Sequence, residues 1–188
     1  MDTKEHILAV AQKLVQQRGF NDFSYADIAE EVGIRKASLH HHFATKAELG
    51  VALLETYSAQ LNNELLRISA LPVKADAKLN AYCSLFQSSL QAKCMCLGGM
   101  MASDSLTLDK AMLPGLKHFF DLNTEWLAEV LAEGKSQKLF VLTSTAADHA
   151  RVLLAALEGA LLIARATGDH ETFDRIVWLL IKSITRKG

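Results

Sequence analysis

The stretch from Phe23 to Leu49 constrains the fold of this 188-residue chain more than any other part of it. Ser24 stands before an apolar-periodic segment with Asp27 three residues later, which is the capping-box pattern of a helix N-terminus. Gly33 then fits a tight turn, because a residue without a Cβ adopts the left-handed backbone conformation at little cost. A second short helix follows. The stretch therefore predicts a helix-turn-helix, the arrangement that places one helix in a DNA major groove.

Positive charge is concentrated around the second of these helices. Residues 32–47 contain three cations, three histidines and no acidic residue, whereas the flanking segments are acidic. The whole chain has a net charge of -1 and a pI of about 6.6, so it lacks the basic character of many nucleic-acid-binding domains. A local cationic stripe between acidic flanks favours docking on DNA in one orientation. An ordinary solvated helical hairpin is the alternative interpretation.

The same stretch resembles the DNA-binding domain of the TetR/AcrR family of bacterial transcriptional repressors. The residues that match the family pattern in order and spacing are Asp27-Ile28-Ala29, Val32-Gly33-Ile34, Lys36, Ser38-Leu39, His42-Phe43, Lys46 and Leu49. Four positions depart from the pattern. Ser24 replaces the usual threonine, Arg35 a small polar residue, Ala37 the usual glycine, and His40 a tyrosine that commonly contacts a phosphate in the family. His40 can still donate a hydrogen bond, over a shorter reach.

The candidate DNA contacts lie on and around the second helix. Arg35, Lys36 and Ser38 are expected near base edges, because Arg and Lys suit guanine O6 and N7 and Ser can serve either base type. Three consecutive histidines advance about 100° each along a helix, so they cannot all face one target, and a zinc site built from them is implausible. The remaining candidates, expected mainly at phosphates, are Ser24, Tyr25, His40, His41, His42, Thr45 and Lys46.

The composition predicts an all-α fold, since half of the residues are apolar and β-branched runs are scarce. Residues 1–45 are expected to form a three-helix DNA-binding head, and residues 46–188 a helical domain for ligand binding and dimerisation. The helices are expected over residues 3–18, from Lys46 to about Ile68, over about 75–92, around 104–108, from Pro114 to about Glu133 with Gly134 closing it, from a cap among 143–145 to about 166, and over about 171–186.

No stretch of the sequence approaches the length of a membrane span, and the N-terminus lacks the apolar core of a signal peptide. We therefore expect a cytoplasmic protein without a membrane association. The sequence contains no cluster with metal-ligand spacing, no phosphate-binding loop and no nucleophile motif. Neither a metal nor a cofactor is expected, and the chain is not expected to be an enzyme.

The last two predicted helices are apolar nearly all round, which means that they need partners on several sides. We expect them to pair with their copies in a homodimer, as a four-helix bundle. The alternative is a monomeric bundle with this pair at its centre. The candidate interface residues are Leu153, Leu157, Gly159, Ala160, Val177, Leu180, Ile181 and Ile184.

The resemblance also implies that the C-terminal domain binds a small molecule. Methionine and aromatic side chains make adaptable pocket walls, although the same residues are equally typical of a core. The candidate ligand residues are Phe86, Leu90, Met100, Met101, Phe119, Phe120 and Trp126. Cys94 and Cys96 are candidate redox residues. Lys93 beside Cys94 would favour a reactive thiolate, whereas the alternative for Cys96 is simple burial.

Together these features predict a ligand-responsive transcriptional regulator. It would be a repressor that binds a palindromic DNA operator as a homodimer and is released by a small apolar or electrophilic inducer. The alternative is a ligand- or thiol-sensing helical dimer that acts on a protein partner and carries a degenerate DNA-binding head.

Overall fold

A computed structural model describes residues 2–186, and within this range the regular structure is helical apart from one isolated β-bridge between Phe140 and Thr185. The all-α prediction is confirmed. The helices are α1 (Thr3–Arg18), α2 (Tyr25–Val32), α3 (Lys36–His42), α4 (Lys46–Ser69), α5 (Ala75–Gln91), α6 (Leu97–Ser103), α7 (Leu113–Ser136), α8 (Ala146–Thr167) and α9 (His170–Ile184), with a 3-10 turn at Lys110–Met112. Among the described residues, no helix is both long enough and apolar enough to cross a membrane.

Helix boundaries follow the capping residues closely. Gly19 ends α1 with a positive φ of 95°, and Gly168 ends α8 in the left-handed conformation. Thr145 is the N-cap of α8, where its hydroxyl oxygen accepts a hydrogen bond from the Asp148 amide at 3.1 Å. These signals act between near neighbours in the chain, which explains why the predicted ends lie within a few residues of the observed ones.

Two predicted features were wrong. The short helix expected around residues 104–108 is a series of turns, and the helix α6 instead covers the glycine-containing segment before it. Gly134 does not close α7 but lies inside it. A Cβ at Gly134 would stand 2.1 Å from the ring of Phe140. The glycine is therefore needed for the close approach of an aromatic ring and does not mark a helix end.

The chain packs as two compact units. Unit 1 consists of Met1–Gln60 and Cys94–Phe119, and unit 2 of Leu61–Lys93 and Phe120–Gly188. Packing thus groups the N-terminal helices with the segment that contains α6. These packing units do not test the predicted functional boundary between a DNA-binding head (residues 1–45) and a ligand-binding and dimerisation domain (residues 46–188), which stays a prediction.

Hydrogen bonds join the N-terminal helices of unit 1 to residues 94–119. The side-chain amide of Gln16 donates to the carbonyl oxygen of Met95 at 3.0 Å. The amide of Phe20 donates to the Asp104 carboxylate at 3.1 Å. Since Gln16 and Met95 are both buried, the loop before α6 is held firmly against the end of α1.

A buried aromatic cluster forms the centre of unit 2. Tyr82 is fully buried, and its hydroxyl donates to the side-chain oxygen of Asn123 at 2.5 Å. Its ring stacks on Trp126 with centroids 5.3 Å apart, and the indole N–H of Trp126 donates to the Ser69 hydroxyl at 2.8 Å. This cluster anchors α5 against α7, while α9 packs on both α5 and α8.

Candidate DNA-binding surface and C-terminal sites

The capping box at the start of α2 and the turn between α2 and α3 both have the geometry that the sequence predicts. The hydroxyl of Ser24 accepts from the Ala26 amide at 3.2 Å and donates to the Asp27 carboxylate at 2.6 Å, and the Ser24 amide donates to the same carboxylate at 2.7 Å. These bonds hold the pKa of Asp27 below its usual value. Gly33 adopts the left-handed conformation, with φ 77° and ψ 33°. No atom lies within 4 Å of the Cβ position, so backbone conformation rather than crowding requires this glycine.

The start of α3 presents the predicted base-reading residues together. Arg35, the N-cap residue, Lys36 and Ser38 are all exposed, whereas Leu39 is fully buried and Phe43 nearly so. Neither cation forms an ion pair with any residue between 2 and 186. The two buried side chains anchor the helix, and the cations and the hydroxyl are exposed at its N-terminal end.

The hydroxyl of Tyr25 is engaged within the protein. The side chain is buried, and the hydroxyl donates to the carbonyl oxygen of Phe43 at 3.0 Å. Burial, reinforced by the negative charge of Glu48, raises the pKa of Tyr25 to about 12. This phenol ties α2 to the end of α3, and the phosphate contact expected of Tyr25 stays a prediction.

Lys46 also faces the interior of unit 1. Its ammonium donates to the carbonyl oxygen of Phe23 and lies 4.1 Å from the ring centroid of Phe23 and 4.9 Å from that of Phe20. Burial lowers the pKa of Lys46, and nearby carboxylates such as that of Asp27 oppose this shift. The ammonium of the half-buried Lys46 is thus engaged with the Phe23 carbonyl in the absence of DNA, and its phosphate contact stays a prediction.

His40 occupies the position of the family's tyrosine, and its ring is held in place. The ring centroid lies 4.7 Å from that of Tyr25, and Nδ1 lies 3.3 Å from the carbonyl oxygen of Ala44. A carbonyl oxygen can only accept, so this hydrogen bond requires the proton on Nδ1. The neutral ring then has an Nε2 that can only accept, and a donor at Nε2 requires the protonated imidazolium.

The other predicted phosphate contacts remain at the surface. Ser24, Thr45 and His41 are exposed, and His42 is half-buried. Thr45 also caps α4, because its hydroxyl oxygen accepts from the Glu48 amide at 3.1 Å. The hydroxyls of Ser24 and Thr45 already serve as helix caps, and the phosphate contacts of all four residues stay predictions.

The interface residues predicted on α8 and α9 are only partly available to a second copy. Four of them, Leu153, Leu157, Ala160 and Ile184, are buried within the protomer. A helix that is apolar nearly all round gives no periodic signal for its inward face, so the sequence did not separate these residues from exposed ones. Their place in an interface stays a prediction. Gly159 is open, and Val177, Leu180 and Ile181 are half-buried.

A different set of apolar side chains on α8 and α9 faces solvent. They are between 49% and 60% exposed and comprise Val152, Leu162, Ile163, Trp178 and Leu179. Val152, Gly159 and Ile163 are spaced by seven and four residues, which places them on one face of α8. We call Val152, Gly159, Leu162 and Ile163, together with Leu179 of α9, the apolar stripe. Its exposure argues against a monomer in which α8 and α9 are enclosed on all sides.

The predicted ligand residues are mostly core residues. Phe86, Leu90 and Trp126 are buried in unit 2, Met101 and Phe119 are buried in unit 1, and Met100 and Phe120 are half-buried. None of them lines the groove of about 560 Å³ that lies between α5 and α9. The groove is lined instead by residues that include Asn80, Cys83, Gln87, Asp174, Trp178 and Lys182. No sequence motif connects them, since they come from two helices about 90 residues apart.

Comparisons with known proteins agree with the geometry of α2 and α3. The profile of the family "Bacterial regulatory proteins, tetR family" matches residues 7–53. A transcriptional regulator of the TetR family from Agrobacterium tumefaciens has a similar structure, with a TM-score of 0.94, 32% identity and 98% of each chain covered. A TetR transcriptional regulator from Legionella pneumophila gives a TM-score of 0.91 and 33% identity, again over 98% of each chain. The chain belongs to the TetR family.

This TetR-family protein is a DNA-binding transcriptional regulator and not an enzyme. Among curated proteins it is similar to the HTH-type transcriptional repressor NemR of Escherichia coli strain K12, with 24% identity over 179 residues, which covers 92% of this chain and 89% of that protein. The profile match extends from within α1 to within α4, so it includes α3 and the residue His40.

The three cysteines of this regulator differ in accessibility. Cys83 and Cys96 are buried, Cys94 is half-buried, and none of the three forms a disulfide within residues 2–186. Burial raises the pKa of Cys83 to about 12, which suppresses its thiolate. Cys94 is therefore the most accessible thiol. Among residues 2–186, no three His, Cys, Asp or Glu side chains are placed so that they could hold a metal ion.

Proposed function

We propose that this regulator is a repressor that binds a near-palindromic operator as a homodimer and leaves it when a small molecule binds. The observation that carries the proposal is the exposed N-terminal half of α3, where Arg35, Lys36 and Ser38 stand together above a buried Leu39. Arg and Lys at this position suit hydrogen bonds to guanine in the major groove. The net charge of -1 favours recognition of specific sites over general binding to DNA.

The apolar stripe supports the homodimer. Exposure of the large apolar side chains on α8 and α9 to water is unfavourable, and a second copy related by two-fold symmetry would bury them. The open space at Gly159 would let two α8 helices approach closely. A two-fold dimer places two copies of α3 in successive major grooves, about 34–36 Å apart, which is the geometry that reads a palindrome.

The release step has two candidate triggers. A small apolar molecule would bind unit 2, and an electrophile or oxidant would react at Cys94, the most accessible thiol. Either trigger ends repression if it favours a dimer in which the two α3 helices no longer fit the operator. The hydrogen bonds between the α1 end and Met95 support a role for the Cys94 segment, because they tie the neighbour of Cys94 to the DNA-binding helices within unit 1.

Selection of binding sites from random duplex DNA with the reduced full-length protein tests the proposal. We expect a palindrome to be enriched, with affinity that falls steeply as salt is added. Arg35→Ala and Lys36→Ala should weaken binding and relax base preference, whereas Lys110→Ala, which removes an exposed cation of unit 1 outside α3, should do neither. No enrichment in the wild type would refute the proposal.

The dimer is tested by the same protein without DNA. Ile163→Asp places a charge in the apolar stripe and should yield a monomer by analytical ultracentrifugation. Leu106→Asp is the matched control, because Leu106 is 99% exposed and lies outside the stripe. A dimer that survives Ile163→Asp and Leu179→Asp would show that the stripe is not the interface.

A second function is favoured by one observation. Nδ1 of His40 is engaged by Ala44, so the neutral ring cannot replace the hydroxyl donor of the family's tyrosine. A head degraded in this way would leave a sensor that acts on a protein partner. Enrichment of an operator excludes this alternative. Weak, salt-sensitive binding without enrichment supports it.

A further inference from the structure

The groove between α5 and α9 of unit 2 has one acidic end and one basic end. At the first end, the side-chain amide of Gln87 donates to the Asp174 carboxylate at 2.9 Å. Gln87, near the end of α5, thus meets the start of α9. Asn80 lies two turns earlier in α5 and also lines the groove, so it faces later residues of α9. The two helices therefore run antiparallel here. Lys182 follows Asp174 by eight residues, which places it about 12 Å further along α9.

The middle of the groove is apolar. Phe173 and Cys83 are buried and form its floor, while the half-buried Val177 and Ile181 form one wall. Cys83 behaves as a small apolar residue, because burial keeps its thiol protonated. Trp178, 54% exposed, adds a large aromatic surface. An aromatic or acyl group of a ligand would be desolvated by these side chains.

The charge at the basic end has no acidic partner. The Lys182 ammonium lies 4.2 Å from the ring centroid of Trp178 and forms no ion pair with the described part of the chain. Asp174, the one other charged residue that lines the groove among residues 2–186, is held by Gln87 at the far end. An anionic group beside Lys182 would therefore gain a charge-assisted hydrogen bond without displacing a carboxylate.

We propose that this groove binds an amphipathic monocarboxylate, with its apolar body against Trp178 and Val177 and its carboxylate at Lys182. The volume of about 560 Å³ suits a ligand of this kind, because small-molecule sites usually measure roughly 300–1,000 Å³. The inference rests on the proposed function in one respect, since it names the chemical class of the effector. The binding itself does not depend on DNA.

Titration of the full-length protein, without DNA, by three probes of matched shape tests the site. The probes are 4-phenylbutyrate, its neutral amide and 4-phenylbutylamine, and binding is measured by calorimetry and by Trp fluorescence. The carboxylate should bind about tenfold more tightly than the amide, as a hydrogen bond to a charged group predicts. Trp178→Phe should remove the fluorescence change, because the remaining Trp126 is in the core of unit 2.

Variants of Lys182 separate its charge from its packing. Lys182→Met should abolish the preference for the carboxylate while amide binding persists, and Lys182→Arg should retain the preference. Lys135→Met is the matched control, since Lys135 is an exposed lysine of unit 2 outside the groove. Equal affinity for all three probes, preference for the amine, or a preference that survives Lys182→Met would overturn the inference.

Dimerisation provides a further check. If a second copy covers the groove, 4-phenylbutyrate binds the Ile163→Asp monomer but not the wild-type dimer, and the groove is then no ligand site in the assembled protein. If the dimer binds the carboxylate but keeps its operator, the site stands and its role as the effector site fails. These outcomes differ from failure of the proposed function, which appears as the absence of an enriched operator.

Discussion

Gln16 and Met95 are joined by two reciprocal hydrogen bonds of 3.0 Å each, because the Gln16 side-chain amide donates to the Met95 carbonyl and the Met95 amide donates to the Gln16 carbonyl. Both residues are buried in unit 1. Met95 lies in a loop, so its carbonyl oxygen is outside the hydrogen bonding of any helix, and the Gln16 side chain provides its donor. The pair thus fixes the segment before α6 against the last turn of α1.

Gln16→Met keeps the length and volume of the side chain but leaves the buried Met95 carbonyl without its side-chain donor, so we expect a loss of about 1–3 kcal/mol in the free energy of unfolding. Urea unfolding followed by circular dichroism measures it. Gln12→Met, one turn earlier in α1 and less buried, should cost much less. Equal costs for the two variants would show that the bond to Met95 contributes little.

Lys46 and Lys36 should separate stability from DNA recognition. Lys46→Ala removes a stem and an ammonium that pack on Phe20 and Phe23, so it should cost about 1–2 kcal/mol of stability and weaken binding to all sequences. Lys36→Ala, at an exposed position, should change stability by less than about 0.5 kcal/mol but reduce affinity and base preference.

Thermal unfolding and operator titrations against salt distinguish the two lysines. If Lys46→Ala leaves the unfolding midpoint unchanged and lowers the salt slope by about one, Lys46 contacts a phosphate directly and leaves the interior on binding DNA. Lys46→Met serves as the control for packing, because it keeps the aliphatic stem and removes only the charge.

The N-terminal part of the fold was predictable because its signals are local. The capping box of Ser24 and Asp27 forms within one turn of helix. Gly33 adopts the left-handed backbone conformation that the turn needs, which depends on that residue alone. The outcome for Gly134 shows the limit. A glycine near the end of an apolar segment usually marks a helix end, and nothing in the sequence identifies Phe140 as the ring that packs against it.

The C-terminal sites were less predictable, for a reason visible in α8. Leu153 and Leu157 are buried, whereas Val152 and Ile163 are exposed, yet all four are large apolar residues. Helical periodicity assigns an inward face only when polar residues mark the outward one. The groove between α5 and α9 was missed because its lining residues are brought together by tertiary packing alone.

His40→Tyr should strengthen binding to the operator. Nδ1 of His40 donates to the Ala44 carbonyl, so the Nε2 of the neutral ring can only accept a hydrogen bond, whereas a phenol hydroxyl can donate one to a phosphate.

Operator affinity measured by fluorescence anisotropy at fixed ionic strength tests the role of His40. His41→Tyr and His42→Tyr are the controls, since these histidines stand on the same helix. Equal affinity of His40→Tyr and the wild type would show that the side chain at position 40 donates no hydrogen bond to a phosphate.

The three thiols should react in an order set by burial and by the thiolate fraction. At about pH 8, iodoacetamide should modify the half-buried Cys94 first, while the buried Cys96 and Cys83 react slowly. Burial raises the pKa of Cys83 to about 12, so its thiol stays protonated until the pH approaches that value. The rate at which Cys83 reacts should therefore rise through the alkaline range.

Peptide mapping by mass spectrometry gives the order in which the thiols react, and unfolding in urea should make the three rates similar. Native Cys83 or Cys96 reacting as fast as Cys94 would contradict the ranking. If mild peroxide leaves Cys94 unmodified in the native protein, Cys94 is not the redox trigger of the proposed release step.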